Sequence, residues 1–312
     1  VVLQQVAVYL QAPVITTPDG KGALTDRHYL SIGVLKHRDD PLREHLTRYD
    51  VILAVGTRFA TARLPDGHQV VQIDVDEEEI GRNYTNTFGI VGDARRSLEE
   101  LYRALLTMTP ARSSRQAECE EIRAERFAPS SQLEPQHSLL RAIRAAMPDD
   151  GILVSGLTQV GYYSYVFYPV YAPRTYITSS YFGNLGYAYP TALGAKVARP
   201  DKAVVAISGD GGFLFNSQEL ATAVQYSINA IVIVFNDNAY GNVLRDQINR
   251  FNGRTIGACL HNPDFVKLAR AYGARGVRAK DPERLESALR EALSLDAPTL
   301  IEVPVGMMPS PF

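Results

Sequence analysis

The chain has 312 residues, 46% hydrophobic and 21% charged, with 32 Lys+Arg against 34 Asp+Glu and a net charge of −2. It is globular in class and long enough for two domains with separate cores. The near-neutral balance, with no Lys/Arg block longer than a pair, speaks against nucleic-acid or anionic-membrane partners, and the longest apolar run, residues 230–235, is too short to span a bilayer. Two cysteines, Cys119 and Cys259, neither in a CxxC, argue against a disulfide framework or structural zinc and fit a cytoplasmic protein.

Residues 1–10 read as an amphipathic helix with no cap and no strand before it, an opening expected of a truncated domain. Ala12-Pro-Val-Ile-Thr-Thr17, Asp50-Val-Ile-Leu-Ala-Val-Gly56 and Val70-Val-Gln-Ile-Asp-Val-Asp76 read as strands. Over 97–106, Leu98, Leu101 and Leu105 share one helical face. Strands alternating with helices predict an α/β fold with a parallel sheet covered on both sides. From 108 to 135 the composition turns to Ser, Arg, Glu and Pro, with one short helix near 117–127, and this stretch is expected to link a first domain (1–107) to a second (136–312). The second predicts a helix over 136–146, strands over 151–155 and 175–178, a Tyr-rich helix from Gly161, and a helix through 192–197. The tyrosines at 162, 163, 165, 168 and 171 have mixed spacing, which suits a packing or dimer surface.

The chemistry gathers between 203 and 241. Ala203-Val-Val-Ala-Ile-Ser208 reads as a strand buried on both faces, broken by Gly209-Asp-Gly-Gly212 at a tight turn. Asn216 is placed to cap a following helix, with Glu219 three residues on. A second buried strand, 230–235, is broken by Asn236-Asp-Asn-Ala-Tyr-Gly241. One right-handed crossover between two parallel strands brings Asp210 and the Asn236/Asp237 pair to the same carboxyl edge, where open α/β sheets bind ligands. Two carboxylates, a free carbonyl near Ala239, glycine amides and a helix start suit Mg²⁺ shared with a phosphorylated ligand. Either stretch alone also reads as an ordinary turn, since Gly, Asp and Asn favour turns for local reasons.

Together, Gly209-Asp-Gly-Gly, Gln218-Glu-Leu-Ala-Thr222 and Asn236-Asp237 resemble the signature of the thiamine-diphosphate enzymes of the acetohydroxyacid synthase, pyruvate oxidase and benzoylformate decarboxylase group. The resemblance continues through Asn262-Pro-Asp-Phe265, Pro298-Thr-Leu-Ile-Glu-Val-Pro304, Gly183-Asn-Leu-Gly-Tyr187 and Pro190-Thr-Ala-Leu-Gly-Ala195. In the first domain it runs through Gly20-Lys-Gly22, Val55-Gly-Thr-Arg58 and Ile73-Asp-Val-Asp76. It implies two doubly wound parallel-sheet domains, a central one and a diphosphate-binding one. It also implies Mg²⁺- and thiamine-diphosphate-dependent decarboxylation of a 2-keto acid with carboligation, in a homodimer or homotetramer. Simple decarboxylation, or a non-catalytic subunit keeping the fold, is the alternative, and a phosphoryl-transfer domain using the two acids lies outside the family.

The resemblance makes Asp210, Asp237 and the Ala239 carbonyl the Mg²⁺ ligands, with Gly209, Gly211, Gly212, Asn236, Asn238, Tyr240 and Gly241 lining the diphosphate. Most relatives carry Asn where Asp237 stands, a departure that adds a negative charge. Leu185, after Gly183, matches the bulky side chain under the bent cofactor, and Thr158 and Gln159 reach the diphosphate from the other side. The family's activating glutamate belongs to an N-terminal domain that no segment here resembles, so no catalytic residue is assigned and this chain alone is expected to be inactive and to bind the cofactor poorly. Residues 59–65 lack the flavin-binding pattern, and FAD is not expected. Of the histidines at 28, 37, 45, 68, 137 and 261, which share no ligand spacing, His28 near Gly20-Lys-Gly22 is a secondary candidate for substrate contact.

Overall fold

The computed structural model describes every residue except 36–39, 41, 61–63, 65–66, 180–181 and 312. His37 and part of the 59–65 segment therefore lie outside the described residues. The chain divides into two units, Val1–Ser131 and Gln132–Pro311.

The first unit runs through α1 (Val2–Leu10), β1 (Val14–Thr16), β2 (Ser31–Val34), α2 (Leu42–Leu46), β3 (Val51–Val55), β4 (Gln69–Asp74), β5 (Thr87–Val91), α3 (Ala94–Met108) and α4 (Gln116–Arg126). β1 and β2 pair in parallel, and β3, β4 and β5 form a second parallel sheet in that order. Val6 of α1, Ile73 of β4 and Leu98 of α3 form one core, with Leu101 and Leu105 packed against it as their helical spacing dictates. Asp93 caps α3 by accepting the Arg96 N–H at 2.9 Å.

The stretch expected to be a linker holds α4, which is part of the first unit. Its Cys119 and Ile122 are buried with Ala7, Leu24, Leu30, Ile32 and Leu42. The buried Arg126 at its end pairs with Asp40 and donates to the Val34 carbonyl. Only two apolar positions on an otherwise charged helix face inward, too few for composition to register.

The second unit runs through α5 (Gln136–Ala146), β6 (Ile152–Ser155), α6 (Gln159–Phe167), β7 (Tyr176–Thr178), α7 (Ala188–Ala198), β8 (Val204–Gly209), α8 (Asp210–Leu214), α9 (Glu219–Gln225), β9 (Ile231–Asn236), α10 (Gly241–Arg250), α11 (Phe265–Ala271), β10 (Arg275–Arg278), α12 (Pro282–Ser294) and β11 (Thr299–Pro304). Its six strands are all parallel, in the order β10-β11-β9-β8-β6-β7. Because strand side chains alternate, Leu153, Val205, Ile207, Ile233 and Ile301 form one core with α5 and α12, while Val154, Val204, Ala206, Val232 and Leu300 form another with α7 and α11. Helices thus cover both faces of a parallel sheet. Gly209 pairs with Phe235 across β8 and β9, so Asp210 and residues 236–241 leave the sheet side by side.

Two local expectations are corrected. Asp210-Gly-Gly212 is the first turn of α8 and not an open turn, and Gly209, its N-cap, has φ −76°. Asn216 does not cap a helix with its side chain. Its Nδ2 donates to the Gly186 carbonyl at 2.7 Å, and α9 begins at Glu219 without a side-chain cap. Asn216 lies two residues before the helix's N-cap, Gln218, whose side chain donates to Asn216 Oδ1 at 3.3 Å, an offset that sequence spacing does not reveal.

Glycine substitutions test the packing. A Cβ on Gly161 of α6 would lie 2.1 Å from the Gly156 carbonyl oxygen, while one on Gly194 of α7 meets nothing within 4 Å. Gly161→Ala is expected to lower unfolding stability by about 2 kcal/mol or more, and Gly194→Ala to raise it by about 0.5–1 kcal/mol. Thermal unfolding of both variants beside wild type checks the pair, and a destabilised Gly194→Ala contradicts the reading.

Candidate active site

At the carboxyl edge of β8 and β9 in the second unit is a cleft of about 210 Å³. Thr158, Gln159, Leu185, Gly209, Asp210, Gly211, Gly212, Asp237, Ala239, Tyr240 and Gly241 line it, as do Tyr162, Asn242, Val243 and Met308. A larger hollow of about 550 Å³ in the first unit is lined by Gln4, Gln5, Tyr9, Tyr102 and Arg112 among others, without a carboxylate, so the chemistry points to the smaller cleft.

Three sequence-assigned residues are not in the cleft lining. Gly183 is exposed at φ +59°. Asn236 turns sideways, its Nδ2 donating at 2.9 Å to Glu302, which is buried in β11 and also accepts Arg278 Nε at 2.8 Å. Asn238 sits at φ +55°, a conformation that Asn tolerates.

The two acids are held by neutral donors. Asp210, 1% exposed, accepts its neighbour's Gly211 N–H at 2.8 Å and Asn262 Nδ2 at 2.6 Å. The same Asn262 nitrogen lies 2.8 Å from Asn236 Oδ1, so one side chain ties both strand ends together. Asp237 accepts Gln159 Nε2 at 3.1 Å and the Ala239 N–H at 3.3 Å. Residues 238–240 are pinned by an antiparallel bridge to Cys259, with Tyr240 N–H on the Ala258 carbonyl and Leu260 N–H on the Asn238 carbonyl, both at 2.8 Å. The Ala239 carbonyl takes neither bond.

Electrostatics follow from that burial. Burial pushes the Asp210 carboxyl above its ordinary value, opposed by the Gly211 and Asn262 bonds. Burial and then repulsion from Asp210 push Asp237 up to about 6. Two partly buried carboxylates in one cleft are an arrangement that a cation relieves.

Two glycines shape the wall. A Cβ on Gly211 would lie 2.5 Å from the Tyr240 ring, and one on Gly241 would lie 2.2 Å from Asp237 Oδ2. Gly241 opens α10, whose N-cap Tyr240 makes no side-chain capping bond, and residues 241–243 face the cleft. Uncapped amides at a helix start favour an anion. The donors suit the expected groups: two carboxylates and a carbonyl are the hard oxygen ligands Mg²⁺ prefers, and the helix start suits a diphosphate. Among the described residues no three His, Cys, Asp or Glu side chains cluster as a metal site.

Residues 2–101 match the thiamine pyrophosphate enzyme central domain, and residues 156–303 match the thiamine pyrophosphate enzyme C-terminal TPP-binding domain. The chain belongs to the thiamine pyrophosphate enzyme family. It is 31% identical to a probable acetolactate synthase large subunit of Methanococcus aeolicus, over 94% of this chain and 53% of that protein. It is 32% identical to the acetolactate synthase isozyme 3 large subunit of Escherichia coli, over 93% of this chain and 54% of that protein. To a probable 2-ketoarginine decarboxylase of Pseudomonas aeruginosa it is 34% identical, over 94% of this chain and 54% of that protein. The chain spans about half the length of these relatives.

Sequence reasoning misses Tyr162, Arg245 and Met308 and gives Asn262 no role. Tyr162 reads as part of a tyrosine-rich surface, although Tyr163 and Tyr168 beside it are fully buried. Asn262 stands in a family motif whose first residue could have been read as a donor to the neighbouring acid. Arg245 carries no motif at all. None of the described histidines lines the cleft, and His28 Nδ1 accepts the Leu30 N–H at 3.2 Å. Among the described residues no helix is long and apolar enough to cross a membrane.

Asp237 gives a pH test. Its folded-state value lies above the ordinary 3.8, so the folded protein holds this proton more tightly than the unfolded chain, and stability falls as pH rises through about 4 to 6. Without metal, Asp237→Asn is expected to melt a few degrees above wild type at pH 7.5, and the difference is expected to vanish at pH 4. A variant no more stable than wild type at pH 7.5 contradicts this electrostatic reading.

Proposed function

We propose that this cleft binds the diphosphate of thiamine diphosphate through Mg²⁺, and that the protein decarboxylates a 2-keto acid with carboligation, as an acetolactate synthase does. The convergence of the Asp210 and Asp237 carboxylates, the Ala239 carbonyl and the uncapped start of α10 in one cleft is the observation that carries this reading. Bound there, thiamine diphosphate supplies the electron sink for the loss of carbon dioxide.

The chain's own residues bind and orient. Asp210, Asp237 and the Ala239 carbonyl would offer three hard oxygens to the metal. Gly211, Gly212 and Gly241 let the backbone approach the phosphates, while Thr158 and Gln159 form the opposite wall. Leu185 supplies apolar surface beneath the cofactor. A homodimer or homotetramer is the assembly we propose. Simple decarboxylation to an aldehyde is the second reading, favoured by the similarity to the probable 2-ketoarginine decarboxylase.

The chain has no Trp, so calorimetry replaces intrinsic Trp fluorescence as the binding readout. Thiamine diphosphate is expected to bind the whole protein with Mg²⁺ and to lose binding in EDTA. Asp210→Ala is expected to weaken it about a hundredfold, as for a lost charged contact worth about 3 kcal/mol. Binding that survives both EDTA and Asp210→Ala defeats the reading. Incubation of the whole protein with 2-keto acids then separates the outcomes, a hydroxy-keto acid marking carboligation and an aldehyde marking simple decarboxylation.

A further inference from the structure

Arg245 on α10 does not line the cleft, yet it joins three parts of the wall. Its Nη1 donates to Gln159 Oε1 at 2.5 Å and to the Met308 carbonyl at 2.9 Å, and its Nη2 donates to Asn242 Oδ1. Gln159, Asn242 and Met308 all face the cleft. The side chain is half-buried, where a fixed charge is screened less than on the open surface.

A primary amide has one accepting end and one donating end. With Oε1 held by the guanidinium, Gln159 can offer Asp237 only its NH₂, and Nε2 donates to Asp237 Oδ2 at 3.1 Å. The flipped amide would set oxygen against carboxylate and NH₂ against guanidinium, two repulsive contacts in place of two bonds. The order Arg245, Gln159, Asp237 therefore has a single favourable polarity. It places a full positive charge one amide away from the second of two carboxylates.

We propose that Arg245 is a positioning residue for cofactor binding. It locks the Gln159 amide toward Asp237 and offsets that carboxylate's charge, so that an anionic diphosphate can approach a cleft already holding two acids. This rests on the reading in which Asp210, Asp237 and the Ala239 carbonyl hold Mg²⁺. Substrate chemistry plays no part in it.

The test is calorimetric binding of Mg²⁺–thiamine diphosphate to the whole protein, in wild type, Arg245→Met, Arg245→Lys, Asp237→Asn, and each Arg245 variant combined with Asp237→Asn. Arg245→Met is expected to weaken binding about tenfold, as for loss of a charge-assisted contact. Arg245→Lys keeps the charge but cannot serve both acceptors of Nη1, and about a threefold loss is expected. Adding Asp237→Asn removes the charge that needs offsetting, so Arg245→Met in that background is expected to bind within about twofold of Asp237→Asn alone. A general structural defect would not be relieved in this way. Arg245→Met binding within about twofold of wild type overturns the proposal, as does an undiminished loss in the Asp237→Asn background. If Arg245→Met does not fold, the Lys variants read the same coupling, and an equal loss in both backgrounds overturns it. Asp210→Ala is the separate control. Wild-type affinity there defeats the metal-site reading itself.

Discussion

Two carboxylates emerging from adjacent parallel strands set the terms for everything around them. Gly209 is in register with Phe235, so Asp210 and Asp237 cannot be far apart while the sheet holds, and each raises the cost of ionising the other. The surroundings answer with neutral donors placed one by one. Gly211 N–H and Asn262 face Asp210, and Gln159 and the Ala239 N–H face Asp237. These bonds hold geometry without cancelling charge, which leaves a cation something to neutralise. A cleft built to be satisfied by its own side chains would instead close the pair with a direct salt bridge.

The packing that keeps this pair in place is mostly backbone against side chain. Tyr240 packs against the space a side chain at 211 would need, and Gly241 lets the helix start come down beside Asp237. The bridge from residue 239 to Cys259 then holds the intervening carbonyl segment as a short strand would. The loop is thus tied by backbone hydrogen bonds to residues 258–260, although it lies outside the sheet.

The second unit is largely legible because its strands are continuous apolar runs and its breaks are glycine- and acid-rich. Ala203 to Ser208 and Ala230 to Phe235 could be little else than strands buried on both faces, and the metal-site candidates follow from where they stop. What escapes notice depends on distant partners. Asn216 has the spacing of a cap, but α9 starts two residues later, after Gln218, and the Asn216 amide is held by a carbonyl 30 positions earlier. The helix at 116–126 is legible as a helix, but its place in the first unit's core is not, because only Cys119 and Ile122 of its apolar side chains are buried there. Arg245 lies on a helix with no buried residue, and nothing in its neighbourhood along the chain points to Gln159, 86 positions away.

The same contrast explains why Asn236 leaves the cleft. A strand end offers its side chain two directions, and β11 presents the buried Glu302 on one of them. Glu302 needs donors, since an unpaired buried carboxylate costs several kcal/mol. Arg278 supplies one on its far oxygen and Asn236 supplies the other on its near one. With its NH₂ committed there, the Asn236 oxygen is left to receive Asn262, whose nitrogen also reaches Asp210. The bonds linking Arg278, Glu302, Asn236, Asn262 and Asp210 run from the edge strand β10 to the first acid, but they reverse direction at Glu302, which accepts from both sides, and at the Asn262 nitrogen, which donates both ways. Only Asp237 therefore ends a series that runs in one direction from an arginine, while the chain to Asp210 fixes the orientation of Asn236 and Asn262 without carrying the Arg278 charge to the first acid.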